Sequence, residues 1–442
     1  MIWPTVVLAL ALGNAGGAGG TASVPTGARI SADTMTTTYT VGGVKVIHRR
    51  ANISTVVTNL YLLGGVRAAP AGQAGLENFL MQVSERGTIR YSRDVLRRSM
   101  ARTGSEFVIE AREDWTMVGA RMIPAEIDST WAILTERIMH PRLDSTDVGF
   151  IRSQMLAGVR QRDDSPDAIL DYVADSVTFA GHSYALSPVG TATSLAAISR
   201  PGLVRFHREQ FVTSRMLLVV VGNIDRVTVE RLVRGTLATL PAGAFVWSMP
   251  DTLATPRPDV AIVRRALPTN YLQGVFLGPS ANSQDAAALR VASAVLSGRL
   301  FGEIRSKRNL TYAVSANFRD RALTSVGLYV TTTAPDSVLA IMLTELKTLK
   351  LFPIQTEMLR PIVQQFITEY FLQNETSTAQ ADFLARAQLY RGDYTAGERF
   401  VAELRAVTGA DVRRVAQRYL ANARWAYVGD PNRVTRDRML VF

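Results

Sequence analysis

Apolar and polar positions first fall into a regular order at residues 39–47 (YTVGGVKVI). They alternate there around a Gly-Gly pair and predict a β-hairpin. Residues 56–63 (VVTNLYLL) predict a strand ending at Gly64-Gly65. Over residues 75–85 the apolar side chains Leu76, Phe79, Leu80 and Val83 fall on one face of a helix. A second helix is expected over 95–102, stopped at Gly104. Residues 115–122 alternate as a strand before Pro124, and 127–138 and 147–162 read as helices, the latter long and two-faced. Residues 216–221 (MLLVVV) predict a short buried strand closed by Gly222-Asn223.

The stretch 250–258 (PDTLATPRP), rich in Pro and small polar residues, reads as an interdomain linker. Beyond it the order of elements restarts, with strands over 260–264 and 272–277, a helix over 285–296 and a strand over 326–333. The segment AILTE at 132–136 recurs as IMLTE at 341–345, each preceded by a strand and a Pro, and Pro141 is matched by Pro353. A repeat of this size points to one domain copied. Strands adjacent in sequence with helices grouped between them favour an α+β class. The expectation is two homologous α/β sandwich halves, residues 24–249 and 259–442, each an antiparallel-rich sheet packed with helices.

Length fits this plan, since 442 residues, 47% of them hydrophobic, are too many for one ordinary core. The absence of Cys excludes disulfides and thiolate metal sites. The four His residues, His48, His140, His182 and His207, lie far apart and none pair at helix-face spacing, which argues against a His-based metal site. A structural hydrogen-bonding role is expected for His182. The net charge of +11 comes almost wholly from Arg. It suits a solvated surface, an acidic partner or an anionic membrane, but no Arg/Lys run is interleaved with aromatics and no nucleic-acid motif is present, so no nucleic-acid partner is expected. Residues 6–12 form an apolar run of export-signal length followed by small residues, although no basic residue precedes it. A cleavable signal over residues 1–23 and a periplasmic or extracellular location are therefore expected. No later stretch is apolar enough to predict a transmembrane helix.

The segment GGVRAAPAGQAGLENFLMQVSERGT at 64–88 resembles the insulinase-like, or pitrilysin-like, zinc metallopeptidases, which include mitochondrial processing peptidase. That family writes Gly, two residues, then His-x-x-Glu-His on a helix, with Gly-Thr a few residues later. Two His one turn apart reach the same Zn²⁺, and the Glu activates a bound water. Gly75, Phe79, Leu80, Gly87 and Thr88 fit the pattern. The His positions hold Asn78 and Gln82, the Glu position holds Met81, and the family's distant acidic ligand falls nearest Gly158. Amides are poor zinc ligands and Met cannot deprotonate water, so the resemblance implies a degenerate site with no metal and no catalytic residue. FAGHSYALSPVGT at 179–191 and RFHREQFVTSRMLLVVVGNID at 205–225 continue the likeness.

In the second half, GRLFGEIRSKRNLTYAVSA at 298–316 resembles the family segment in which an Arg and, seven residues on, a Tyr hold the substrate backbone. Both are kept, as Arg305 and Tyr312. The packing alternative pairs Arg305 with Glu303 or Glu345 and packs Tyr312 at a strand start. The resemblance implies a non-catalytic subunit of a heterodimeric endopeptidase acting on unfolded peptides, with zinc held by a homologous partner that keeps the motif. A pseudopeptidase scaffold or peptide-binding protein without a proteolytic role is the alternative. An independent enzyme would need convergent ionisable groups that the sequence does not display.

Overall fold

A computed structural model describes residues 35–253 and 257–442. The expected signal at residues 1–23 lies outside the described residues, as does part of the 250–258 linker, whose described residues carry no regular structure up to Asp259. In the first half the strands are β1 Thr36–Val41, β2 Val44–Arg50, β3 Val56–Leu63, β4 Glu106–Ala111, β5 Trp115–Met122 and β6 Met216–Gly222. The helices are α1 Leu76–Ser84, α2 Arg93–Thr103, α3 Ile127–Met139, α4 Ser145–Asp164, α5 Pro166–Thr178, α6 Ala192–Ala197, α7 Arg200–Gln210 and α8 Arg226–Arg234. The second half adds β7 Asp259–Arg264, β8 Asn270–Ser280, β9 Val314–Arg319, β10 Leu323–Thr332 and β11 Arg424–Gly429. Its helices are α9 Asp285–Leu300, α10 Pro335–Leu351, α11 Arg360–Gln373, α12 Ser377–Arg391, α13 Ala396–Ala406, α14 Gly409–Tyr419 and α15 Arg436–Met439.

The β1–β2 hairpin turns at Gly42-Gly43, whose φ angles of 54° and 88° suit glycine, and a Cβ on Gly42 would collide with Ala238. The first sheet has the order β1-β2-β6-β3-β5-β4 and the second β7-β11-β8-β10-β9. Without β1 the two orders correspond strand for strand. In each, the first strand runs parallel to the last, β2 with β6 and β7 with β11, and every other pairing is antiparallel. The AILTE and IMLTE segments lie in α3 and α10, the helices that follow the matched strands β5 and β10. The fold is a mixed α/β arrangement of two antiparallel-rich sheets packed with helices.

Both faces of each sheet are apolar. β3 is buried along its whole length and so is β6, which explains their continuous rather than alternating hydrophobicity. One face of the first sheet packs on α1, α3 and α4 through Leu60, Leu62, Val118, Phe79, Leu80 and Leu134. The opposite face, with Tyr61, Trp115, Leu217 and Val219, is covered by Leu384, Ala385, Leu389 and Tyr390 of α12, a helix from the second half. In return α5 of the first half places Ile169, Leu170 and Ala174 on Val275, Ala426 and Val428 of the second sheet. The halves thus exchange equivalent helices. Burying each Leu of α12 is worth roughly 1.5–3 kcal/mol.

Polar contacts fix the exchange. Asp114, 1% exposed, accepts hydrogen bonds from Tyr184 Oη at 2.5 Å and Tyr390 Oη at 3.1 Å, and pairs with Arg67 at 2.7 Å. Asp175 of α5 pairs with Arg319 at 2.9 Å and Arg321 at 3.1 Å, both from the β9–β10 region. Burial pushes the Asp175 carboxyl up, but the guanidinium groups of Arg321 and Arg319 together outweigh it and hold the group below its ordinary value. A depressed folded-state value contributes stability above the unfolded value of 3.8, and that contribution is lost as pH falls through the lower folded value. Asp175→Asn should therefore cost about 2 kcal/mol in urea unfolding at pH 7, the worth of a hydrogen bond to a charged group. Repeated below pH 4, the same measurement should find the difference from wild type shrinking.

Candidate functional site

Helix α1 occupies the place of the expected zinc helix, and its fixation is structural on every side. Gly75 starts it with φ 84°, and a Cβ there would come within 2.7 Å of Gly190, so the loop after α5 sits directly on the helix start. Ser194 Oγ donates to Ala74 O at 2.8 Å from the same region. Glu77, within the first turn, pairs with Arg215 at 2.9 Å, and Arg215 also donates to Leu63 O at 2.7 Å, both side chains being buried. Burial raises the Glu77 carboxyl against the pull of Arg215. Sequence patterning did not single out this pair, since two charges far apart in sequence carry no periodic signal. At the other end Thr88 N donates to Tyr91 O, Ile89 N to His140 O and Arg142 N to Gly87 O, tying the Gly-Thr pair to the α3–α4 connection near Pro141.

Three of the four expected motif positions come together. Asn78 and Gln82 of α1, one turn apart, line a cavity of about 360 Å³ with Gly158 of α4; Gln154, Met155 and Arg162 form more of its wall. Met81 does not join them. It is 0% exposed and packs in the core between the first sheet and its own helices. Gly158 faces open space: a Cβ there meets nothing within 4 Å. A set of two amides and a glycine offers no anionic or imidazole donor, so it does not fit the zinc that the motif's pattern implies. Among the described residues no three His, Cys, Asp or Glu side chains converge as a metal site. The imidazoles serve local structure: His182 Nδ1 accepts from Tyr184 N at 3.1 Å, and His48 and His207 bond to Ile224 O and Ile138 O. Burial lowers the pKa of all three.

Arg305 and Tyr312 lie outside this cavity, Arg305 in the turn that follows α9 and Tyr312 in the loop before β9. The helix widens there into a π turn over Phe301–Ser306, with Lys307 N donating to Gly302 O at 3.0 Å. The packing alternative fails for both residues. Glu303 is taken by Lys307 and Arg308, and Glu345 by Arg299. Arg305 has no carboxylate partner among the described residues and rests over the Phe301 ring at 5.0 Å. Tyr312 is 87% exposed, the most of any large apolar or aromatic side chain described.

Contrasting substitutions separate these positions. Gly158→Ala should stabilise the protein by about 0.5–1 kcal/mol, because it removes glycine from an exposed helix interior with room for a methyl group. Met81→Glu should cost several kcal/mol, on the order of 3–5, by burying an unpaired carboxylate. Chemical denaturation of the two variants beside wild type checks both signs.

Residues 197–366 match the family model described as Peptidase M16 inactive domain. An uncharacterized zinc protease of Mycobacterium leprae is 26% identical over 62% of this chain and 63% of its own length. One of Mycobacterium bovis is 23% identical over 83% and 86%. The mitochondrial-processing peptidase subunit beta of Lentinula edodes is 21% identical over 83% of each chain. Among solved structures, a peptidase M16 inactive domain from Pseudomonas fluorescens superposes with a TM-score of 0.80 at 18% identity, covering 89% of this chain and 98% of that one. A protease from Helicobacter pylori also gives 0.80, at 16% identity, covering 89% and 99%. Residues 197–366 thus match an M16 inactive domain, and the chain shares its fold with a solved M16 inactive-domain structure.

Proposed function

We propose that this chain is the non-catalytic subunit of a heterodimeric metalloendopeptidase. A homologous subunit that keeps His-x-x-Glu-His would hold the zinc and carry out hydrolysis, while Arg305 and Tyr312 of this chain hold the peptide backbone. The observation that carries the reading is the state of those two residues: Arg305, in the π turn after α9, has no carboxylate partner among the described residues, and Tyr312, in the loop before β9, is almost fully exposed. A guanidinium donates to carbonyl or carboxylate oxygens, and a free phenol donates to a carbonyl or a developing oxyanion. Their loss would leave the fold untouched, since neither contributes to the core. Binding no metal itself, the chain would serve the reaction by positioning an extended peptide in the closed complex. An exported location is part of the same proposal and brings it to unfolded peptides outside the cytoplasm.

The test is peptidase activity of the purified chain alone and mixed with a paralogue that bears the zinc motif. Alone, the chain should be inactive, and zinc or EDTA should move its melting temperature by less than about 1 °C, since only a ligand that binds the native state stabilises it. In the mixture it should raise the paralogue's kcat/KM. An Arg305→Ala/Tyr312→Phe variant should form the same complex with kcat/KM lower by about 10–100-fold, the loss of two oriented hydrogen bonds. A complex whose activity ignores that variant would favour the scaffold reading, and zinc-dependent cleavage by this chain alone would overturn the proposal.

A further inference from the structure

Beside the cavity at Asn78 lies a second one of about 410 Å³, and the two share Gln82, Ile151 and Gln154 as walls. Its chemistry is different. Arg86, Arg93, Arg97 and Arg137 all line it, against the single carboxylate of Glu85. They come from separate elements: Arg86 follows α1, Arg93 and Arg97 sit one turn apart on α2, and Arg137 is near the end of α3. Two like charges at i, i+4 on α2 oppose the helix they stand on.

The charges are incompletely answered within the chain. Arg137 is only 1% exposed in its side chain, pairs with Glu85 at 3.0 Å, and keeps a buried Nε with no hydrogen-bond partner. Burial lowers the pKa of that guanidinium, so a further anion nearby would be favourable. Arg86 pairs with Asp147 at 3.0 Å and stacks over Phe150 at 4.1 Å, which holds its guanidinium at the rim. Arg93 and Arg97 make no ion pair among the described residues. With Glu85 and Asp147 both counted, the four guanidinium groups retain a surplus of two positive charges. Apolar walls from Leu96, Met100 and Phe150 lower the local dielectric and strengthen attraction for an anion that enters.

From this arrangement we infer that the arginine-lined cavity is a binding site for carboxylates of an extended peptide, continuous with the degenerate motif cavity beside α1. The inference rests on the peptide-handling reading above and adds a preference to it. Arg forks recognise planar carboxylates in a bidentate manner. Because Gln82, Ile151 and Gln154 line both cavities, a chain lying along α1 past Gly158 would bring an acidic group beside Arg93 and Arg97. The same chemistry is offered by an acidic side chain and by a free chain terminus, and the experiment separates these.

Calorimetric titration of the full chain with three ten-residue peptides of one Ser/Ala background tests it. One carries two central Glu and an amidated end, one carries Gln there with a free terminal carboxylate, and one carries Gln with an amidated end. At least one carboxylate-bearing peptide should bind on the order of tenfold tighter than the neutral one, the worth of one charge-assisted contact, and which of the two does so identifies the source. In Arg93→Gln/Arg97→Gln the preference should vanish, and in Arg93→Lys/Arg97→Lys much of it should return. Both positions are exposed, and a melting curve confirms that the variants are folded. Three equal affinities, or a preference that survives the Gln variant, would overturn the site while leaving peptide binding standing. No binding of any peptide would overturn both. A ten-nucleotide single-stranded DNA that binds more tightly than the acidic peptide through the same two arginines would replace the peptide carboxylate with a phosphate backbone.

Discussion

The structure depends on a sheet having two apolar faces when its own half can cover only one. In each half the helices that precede and follow the sheet in sequence pack on one side, and the other face of β3 or β8 would meet water. The solution is reciprocal. α12 crosses to the first sheet and α5 crosses to the second, so neither half completes its core without the other. Because α5 and α12 are equivalent helices of the duplicated unit, a single kind of contact is used twice, as an isologous dimer interface would use it. Asp114 stands where this arrangement is least tolerant. It is a buried carboxylate satisfied from both halves at once, by Tyr184 and Arg67 on one side and Tyr390 on the other.

That constraint explains why α1 persists without metal-binding side chains. The helix is held by Leu76, Phe79, Leu80, Met81 and Val83 in the core, by the Glu77–Arg215 pair, and by the close approach of Gly75 to Gly190. None of these fixes the identity of Asn78 or Gln82, whose side chains face a cavity. The frame of the motif is under packing constraint and its centre is not. Met81 marks the division, since a residue there must satisfy the core before any chemistry.

The sequence made the first sheet, the long helices and the duplication legible because each rests on a local pattern: continuous apolar runs in β3 and β6, a 3.6-residue stripe in α1, a short repeated segment in α3 and α10. β4 and β9 escaped the pattern because they are edge strands, half-buried and carrying Glu, Asn and Arg. β11 escaped as well, though it is buried in an interior position between β7 and β8. The helix exchange could not be read at all, since an amphipathic face on α5 announces that it is covered and not by which sheet. For the site, the family resemblance pointed to Asn78, Gln82 and Gly158, which the structure brings to one cavity, but it could not say that Met81 turns away. The arginine-lined cavity draws on four separate stretches of chain, and its charges blend into a uniformly Arg-rich composition.

The two halves also differ in how their matched helices end, and this bears on where function remains. α1 runs for nine residues and finishes in a network of backbone hydrogen bonds with the α3–α4 connection, which satisfies its backbone and leaves only side chains there to meet a ligand. α9 runs for sixteen and is buried along most of its length, by Leu289, Val291, Leu296 and Leu300 among others. A helix so enclosed gains nothing in stability from an exposed Tyr or an unpaired Arg beyond its end. The π turn that carries Arg305 departs from the regular ladder, and Ile304 and Phe301 are its contacts with the core. Packing therefore accounts for the body of the second-half motif and gives no account of the exposed phenol of Tyr312 or of the Arg305 guanidinium, which has no carboxylate partner among the described residues.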